Sequence, residues 1–136
     1  MLIDAGPLVS LCDRRQPSHA ACQAVLKSAR VPLITTWPCF TEAMDLVGKL
    51  GGIAMAEHLW AMLYRGILIL HVHGDIEAMA MAAMMIRYQD VPMDLADASL
   101  IAAADMLDDR TVFTLDGYFR IYRLADGGTL TLLPQS

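Results

Sequence analysis

The stretch Pro32-Leu33-Ile34-Thr35-Thr36-Trp37-Pro38-Cys39-Phe40-Thr41-Glu42 changes character halfway along. Pro32 to Thr35 is a β-like run, and Thr36 then offers a side-chain cap for a helix that has Pro38 in its first turn. A strand that passes directly into a helix is the repeating unit of an α/β fold. Working outward, the same alternation recurs. Met1 to Asp4 is a short apolar run that ends in an acid. Ser18 to Ala29 carries Ala21, Cys22, Val25 and Leu26 on one helical stripe. The helix opened at Trp37 is expected to end at Gly51-Gly52, and Ile53 to Arg65 to form a second one. Ile67 to Val72 is β-branched. Asp75 to Arg87 and Leu95 to Leu107 are helical, the latter capped by Asp94. Thr111 to Thr114 and Thr129 to Leu133 close the series as strands. The order predicts a three-layer α/β/α domain over residues 1–136, with helices on both faces of a mostly parallel sheet.

Composition narrows the function. The 136 residues are 56% hydrophobic, which excludes a disordered chain. The longest uninterrupted apolar run, Ala78 to Ile86, falls far short of the ~20 residues of a membrane-spanning helix. Asp4 follows Leu2-Ile3 at once, so no secretory signal is read at the N-terminus. Three unclustered cysteines (Cys12, Cys22, Cys39) suit a reducing cytoplasm. The formal charge is −5, and twelve of the fifteen acids are Asp.

Ligands of open parallel sheets bind outside the carboxyl ends of the strands. Four acids fall there. Asp4 ends the first strand, Glu42 lies in the second turn of the helix after the second, Asp97 lies in the first turn of a late helix, and Asp116 follows a late strand. Their neighbours are largely apolar, which makes uncompensated charge costly. Two carboxylates ~5 Å apart repel by about 3 kcal/mol at an effective dielectric of 20. Converging acids without Cys or His therefore call for a hard divalent cation, Mg²⁺ or Mn²⁺. Taken singly, an Asp at a helix start is a cap and an Asp after a strand is a turn residue; that reading accounts for Asp94 and Asp75 better than for Asp4 and Glu42.

Leu2-Ile3-Asp4-Ala5-Gly6-Pro7-Leu8-Val9 resembles the opening motif of the PIN-domain nucleases, the fold of the VapC toxins of toxin–antitoxin modules. Thr41-Glu42-Ala43 is similar to their second motif, Asp94 through Ile101 to the third, and Phe113-Thr114-Leu115-Asp116 with Phe119, Tyr122 and Arg123 to the fourth. The resemblance implies a Mg²⁺- or Mn²⁺-dependent ribonuclease whose metal ligands and catalytic acids are Asp4, Glu42, Asp97 and Asp116. Asp94 and Thr114 take accessory roles: Asp94 as an outer ligand or water-orienting group beside its capping role, Thr114 orienting a ligand or phosphate. The resemblance also implies an RNA substrate, a cognate antitoxin and a homodimer. Ala5 and Gly117-Tyr118 depart from the polar residues the family often carries there. The alternative is a catalytically weak or non-catalytic module of the same fold. A haloacid-dehalogenase-type phosphatase is disfavoured because Gly6 stands where its second Asp is needed.

The remaining conspicuous residues have simpler expectations. His71 and His73 are read as solvent-facing at a strand end, with no third metal ligand nearby in sequence. His19 and His58 are read as helix-surface residues. The helix from Ala78 to Ile86, apolar nearly all round, is read as core, with part of it packed on a second subunit. Apolar excess on Pro38 to Arg65 suggests a groove for a partner's helix. Arg14, Arg15, Arg120 and Arg123 are candidates to flank the cleft. Without the four proposed ligands, eleven acids face ten bases, so the acidic excess is concentrated at one site and does not oppose RNA once cations fill it.

Overall fold

Five short strands lie side by side in a computed structural model that describes residues 1–135: β1 (Leu2–Ile3), β2 (Leu33–Thr36), β3 (Leu68–His71), β4 (Thr111–Phe113) and β5 (Thr131–Leu133). Their order is β3-β2-β1-β4-β5 and every neighbouring pair is parallel. The chain builds outward from β1 to β2 and β3, then returns to lay β4 and β5 on the opposite side. That reversal puts a switch point beside the carboxyl ends of β1 and β4, where open α/β sheets hold their ligands.

Strand residues alternate between two cores, as a pleated strand requires. Ile3, Leu33 and Phe113 join Leu8, Phe40, Val47 and Leu59 on one face. Their sequence neighbours Leu2, Ile34 and Val112 join Leu100, Ile101, Phe119 and Tyr122 on the other. The helices are α1 (Ala5–Cys12), α2 (His19–Ser28), α3 (Trp37–Tyr64), α4 (Asp75–Arg87) and α5 (Leu95–Leu107). The first core lies under α1, α2 and α3, the second mainly under α4 and α5.

The expected termini hold to within two residues for most elements, and two features differ, the presence of α1 and the exposure of α4. Helix α1 lacks a sequence signal because Ala5-Gly6-Pro7 reads as punctuation. Pro7 falls in the first turn, where a missing N–H costs no helix bond, and Asp4 is the N-cap, its Oδ1 accepting from the Ala5 N–H at 2.8 Å. The break expected at Gly51-Gly52 is present: α3 is two helical segments that meet at Gly52, which leaves helical geometry at φ 65° and ψ −155°. Helix α4 is not core: only Glu77 and Met81 are buried on it, while Ile76, Met79 and Ile86 are 81%, 74% and 70% exposed.

The kink supplies a test. Gly52 has open space around a would-be Cβ but a positive φ with extended ψ that essentially only glycine adopts, so Gly52→Ala costs about 1–3 kcal/mol through backbone strain alone. Urea denaturation checks this; Gly48→Ala, at an ordinary φ with open space, is expected to be neutral or stabilising.

Candidate active site

The carboxyl ends of β1 and β4 are joined by a side chain from each. Thr114 follows β4; its Oγ1 donates to Asp4 Oδ2 at 2.8 Å and accepts the Asp116 N–H at 3.0 Å. One hydroxyl thus fixes Asp4 and the turn that carries Asp116. Asp116 caps the 3-10 turn Gly117–Arg120, its Oδ1 accepting from the Tyr118 N–H at 2.9 Å. On the other side, α5 starts with a reciprocal capping box. The Asp97 N–H donates to Asp94 Oδ1 at 2.8 Å, and the Asp94 N–H to Asp97 Oδ2 at 3.4 Å. The buried Tyr122 hydroxyl donates to that same Asp97 oxygen at 2.9 Å. Cys39, on the first turn of α3, lies with its Sγ 3.7 Å from Asp4 Oδ1. Thr36 caps α3 as the sequence suggested, and its Oγ1 meets Ser99 Oγ at 2.6 Å, tying the starts of α3 and α5 together.

The result is one recess of about 280 Å³ lined by Asp4, Glu42, Asp94, Asp97 and Asp116, with Ala5, Gly6 and Leu115. All four sequence-predicted acids and Asp94 are brought together. Asp4 and Asp97 form the buried floor, while Glu42 and Asp94 stand exposed at the rim. Rim and floor acids are spread rather than clenched: among the described residues, the group of three Asp, Glu, His or Cys donors within 4.8 Å of one another lies elsewhere. A second, wider groove of about 700 Å³ opens from the rim, shares Glu42 and Asp94 with the recess, and is walled by Trp37, Pro38, Thr41, Asp45, Leu95 and Ala96. Beyond Asp116 a third hollow is lined by Thr114, Gly117 and Arg120.

The charges are strained in the direction their crowding dictates. Burial, then the repulsion of Asp94 and Asp4, pushes the Asp97 carboxyl from 3.8 up to about 7, although the Tyr122 hydroxyl opposes this. Burial also raises Asp4, with Asp116 and Asp94 adding to the shift and the Thr114 and Ala5 hydrogen bonds opposing it. Glu42 is raised by partial burial and by Asp4, Asp94 and Asp116. All-oxygen donors that repel one another fit a hard divalent cation, which removes the repulsion it finds.

Of the arginines expected to flank the cleft, Arg120 does so beside Asp116. Arg15 instead pairs with Asp13 at 2.8 Å, Arg14 is exposed, and Arg123 donates to the carbonyls of Arg120, Ile121 and Tyr122. Tyr122 belongs to the fourth motif, but its contact with Asp97 was not readable from it, and the contact from Cys39 carried no sequence signal.

These features define an α/β nuclease fold with its acids at the switch point. No family model matches the sequence. The chain is 30% identical over 135 residues to the ribonuclease VapC26 of Mycobacterium tuberculosis, covering 98% of this chain and all of that one. Its fold matches the crystal structure of VapC20 from the same organism, described as a toxin that cleaves the sarcin-ricin loop, with a TM-score of 0.79 and 14% identity over 85% of this chain and 89% of that one. The chain belongs to the VapC family of PIN-domain ribonucleases.

A pH dependence follows. Folded Asp97 holds its proton up to about pH 7, whereas the unfolded carboxyl releases it near 3.8. The folded state therefore binds more protons between those values, and stability without divalent cations increases as pH falls from 8 to 5. Asp97→Asn keeps the cap and is expected to raise stability at pH 8 by about 1–3 kcal/mol without metal. Thermal melts of both proteins in chelator across this range check both statements.

Proposed function

We propose that Asp4, Glu42, Asp97 and Asp116 hold Mg²⁺ or Mn²⁺, directly or through water, and that the protein hydrolyses RNA phosphodiesters at this recess. The observation that carries the reading is the convergence of these carboxylates on one recess in which burial and mutual repulsion raise Asp4, Glu42 and Asp97 together. Bound there, a divalent cation supplies charge neutralisation for the phosphate and lowers the pKa of water for in-line attack.

The chain's own residues do the rest. Thr114 holds Asp4 in one rotamer and orients the Asp116 turn. Tyr122 holds Asp97 from the buried side. Asp94, at the rim and capping α5, orients water entering the recess. The wide groove beyond Glu42 gives a strand of RNA a path to the acids, with the half-exposed Trp37 available to stack on a base. Arg120, beside Asp116, is placed to meet a backbone phosphate of the strand on the other side of the recess.

As a member of this family the protein acts as the toxin of a toxin–antitoxin module, in the cytoplasm, restrained by a cognate antitoxin. The exposed apolar side chains of α3 (Leu46, Leu50, Ile53, Trp60) support a partner's helix there. The uncovered apolar face of α4 supports a homodimer. Among the described residues no helix is long and apolar enough to cross a membrane.

The second reading, a non-catalytic binding module, is opposed by the complete set of acids. Activity assays separate the two. Asp4→Asn and Asp97→Asn, both able to keep their caps, are expected to lose cleavage of a model RNA by more than about 100-fold. Thr114→Val is expected to lose about 10–100-fold, the usual effect of removing a group that orients a metal ligand. Full activity in Asp4→Asn, or no Mg²⁺- or Mn²⁺-dependent rise in melting temperature of the unsubstituted protein, refutes the assignment.

A further inference from the structure

His71, His73 and Glu77 form a second convergent group, outside the acidic recess. One donor atom from each lies within 4.8 Å of the other two. His71 Nε2 is 2.8 Å and His73 Nε2 3.8 Å from Glu77 Oε2, and the two rings meet edge to face at 5.0 Å. The histidines do not face solvent as the strand-end position suggested. Their side chains are only 14% and 12% exposed, and the Glu77 side chain 8%. The missing third ligand is supplied by the first turn of the next helix, four residues beyond His73.

Each ligand is held independently. His71 pairs in register with Thr36 at the end of β3. The other Glu77 oxygen accepts the Gly74 N–H at 3.2 Å, capping α4. His73 Nε2 lies 2.9 Å from the Ser99 carbonyl of α5, a hydrogen bond that a cation on Nε2 displaces and a cation on Nδ1 keeps as an outer partner. The shared proton between His71 Nε2 and Glu77 Oε2 stands where a cation would, between a nitrogen and an oxygen donor. Two imidazoles and one carboxylate are a ligand set that zinc takes in tetrahedral geometry with one position left open, whereas Mg²⁺ prefers oxygen alone.

We propose that His71, His73 and Glu77 bind one Zn²⁺, joining the end of β3 to the start of α4. Helix α4 needs such an anchor. Glu77 and Met81 are its only buried residues, and Met84 and Met85 add partly buried contacts to the second core, so its first turn is held mainly through Glu77. The metal replaces the proton shared by His71 and Glu77. It sets the position of the apolar face that α4 presents at Ile76, Met79 and Ile86.

The test uses tag-free protein carrying Asp4→Asn and Asp97→Asn, which removes two acids of the recess, stripped with chelator and titrated with Zn²⁺ by calorimetry. One equivalent is expected to bind, with a saturable rise in melting temperature and slower amide exchange in α4. Adding Glu77→Gln keeps a side-chain acceptor for the Gly74 N–H and is expected to weaken binding by more than about 100-fold, beyond the loss of an outer partner. His73→Ala is expected to do the same, and a chelator melt of each variant verifies that it folds. Co²⁺ in place of Zn²⁺ is expected to give the intense visible bands of a tetrahedral site, lost in both variants. Absence of Zn²⁺ binding in the Asp4→Asn, Asp97→Asn protein overturns the proposal, as does binding that both added substitutions leave unchanged.

Discussion

Like charge crowded against a low-dielectric surface is the constraint on which this structure turns. Asp4 sits at the end of the central strand of a parallel sheet, buried among apolar residues, and Asp97 faces it from the start of α5. Neither carboxylate forms an ion pair among the described residues. They are held instead by neutral donors: a threonine hydroxyl, a tyrosine hydroxyl and backbone N–H groups. Neutral donors fix geometry without cancelling charge, so the negative charge of the recess is left uncompensated. A lysine in the same place would stabilise the fold and neutralise the site.

The topology makes that arrangement economical. With β1 central and its neighbours β2 and β4 arriving from opposite directions of chain growth, the loops at their carboxyl ends diverge and leave a recess. The starts of α1, α3 and α5 and of the 3-10 turn all point their N-terminal N–H groups towards it or flank it. Helix N-termini favour negative charge, which offsets part of the repulsion. The same residues therefore serve twice: Asp4, Asp94 and Asp116 cap helices and line the recess. Capping and the lining of the recess agree here because both place an acid at the same point of the chain.

The second surface feature has a different physical origin. An α4 that is apolar on its outer side and weakly buried on its inner side is unusual for an isolated domain. It is held at its start by Glu77, which bonds the helix N-terminus and meets two imidazoles. The acidic recess and this cluster lie at the carboxyl edge of one sheet. Ser99 touches both surroundings, its carbonyl on His73 and its hydroxyl on Thr36.

Much of this was legible in the chain itself. Local periodicity and capping chemistry placed β2, α4, α5 and the break at Gly52 within a residue or two, because those signals depend on neighbours three or four positions apart. The identity of Asp4, Glu42, Asp97 and Asp116 followed from the α/β alternation, which fixes the edge of the sheet on which they lie. Helix α1 was hidden because Gly6 and Pro7 oppose helix by propensity, and only the Asp4 cap and burial of Leu8, Val9 and Leu11 override them. What joined the acids into a site lay beyond any local pattern. Thr114 reaches Asp4 across 110 positions and Tyr122 reaches Asp97 across 25. The exposure of α4 and the approach of Glu77 to His71 were likewise undecided. Periodicity records that a face is apolar and that a residue is titratable. Which surface covers that face, and which partner meets that residue, depends on how the layers pack, and that is set by the three-dimensional fold.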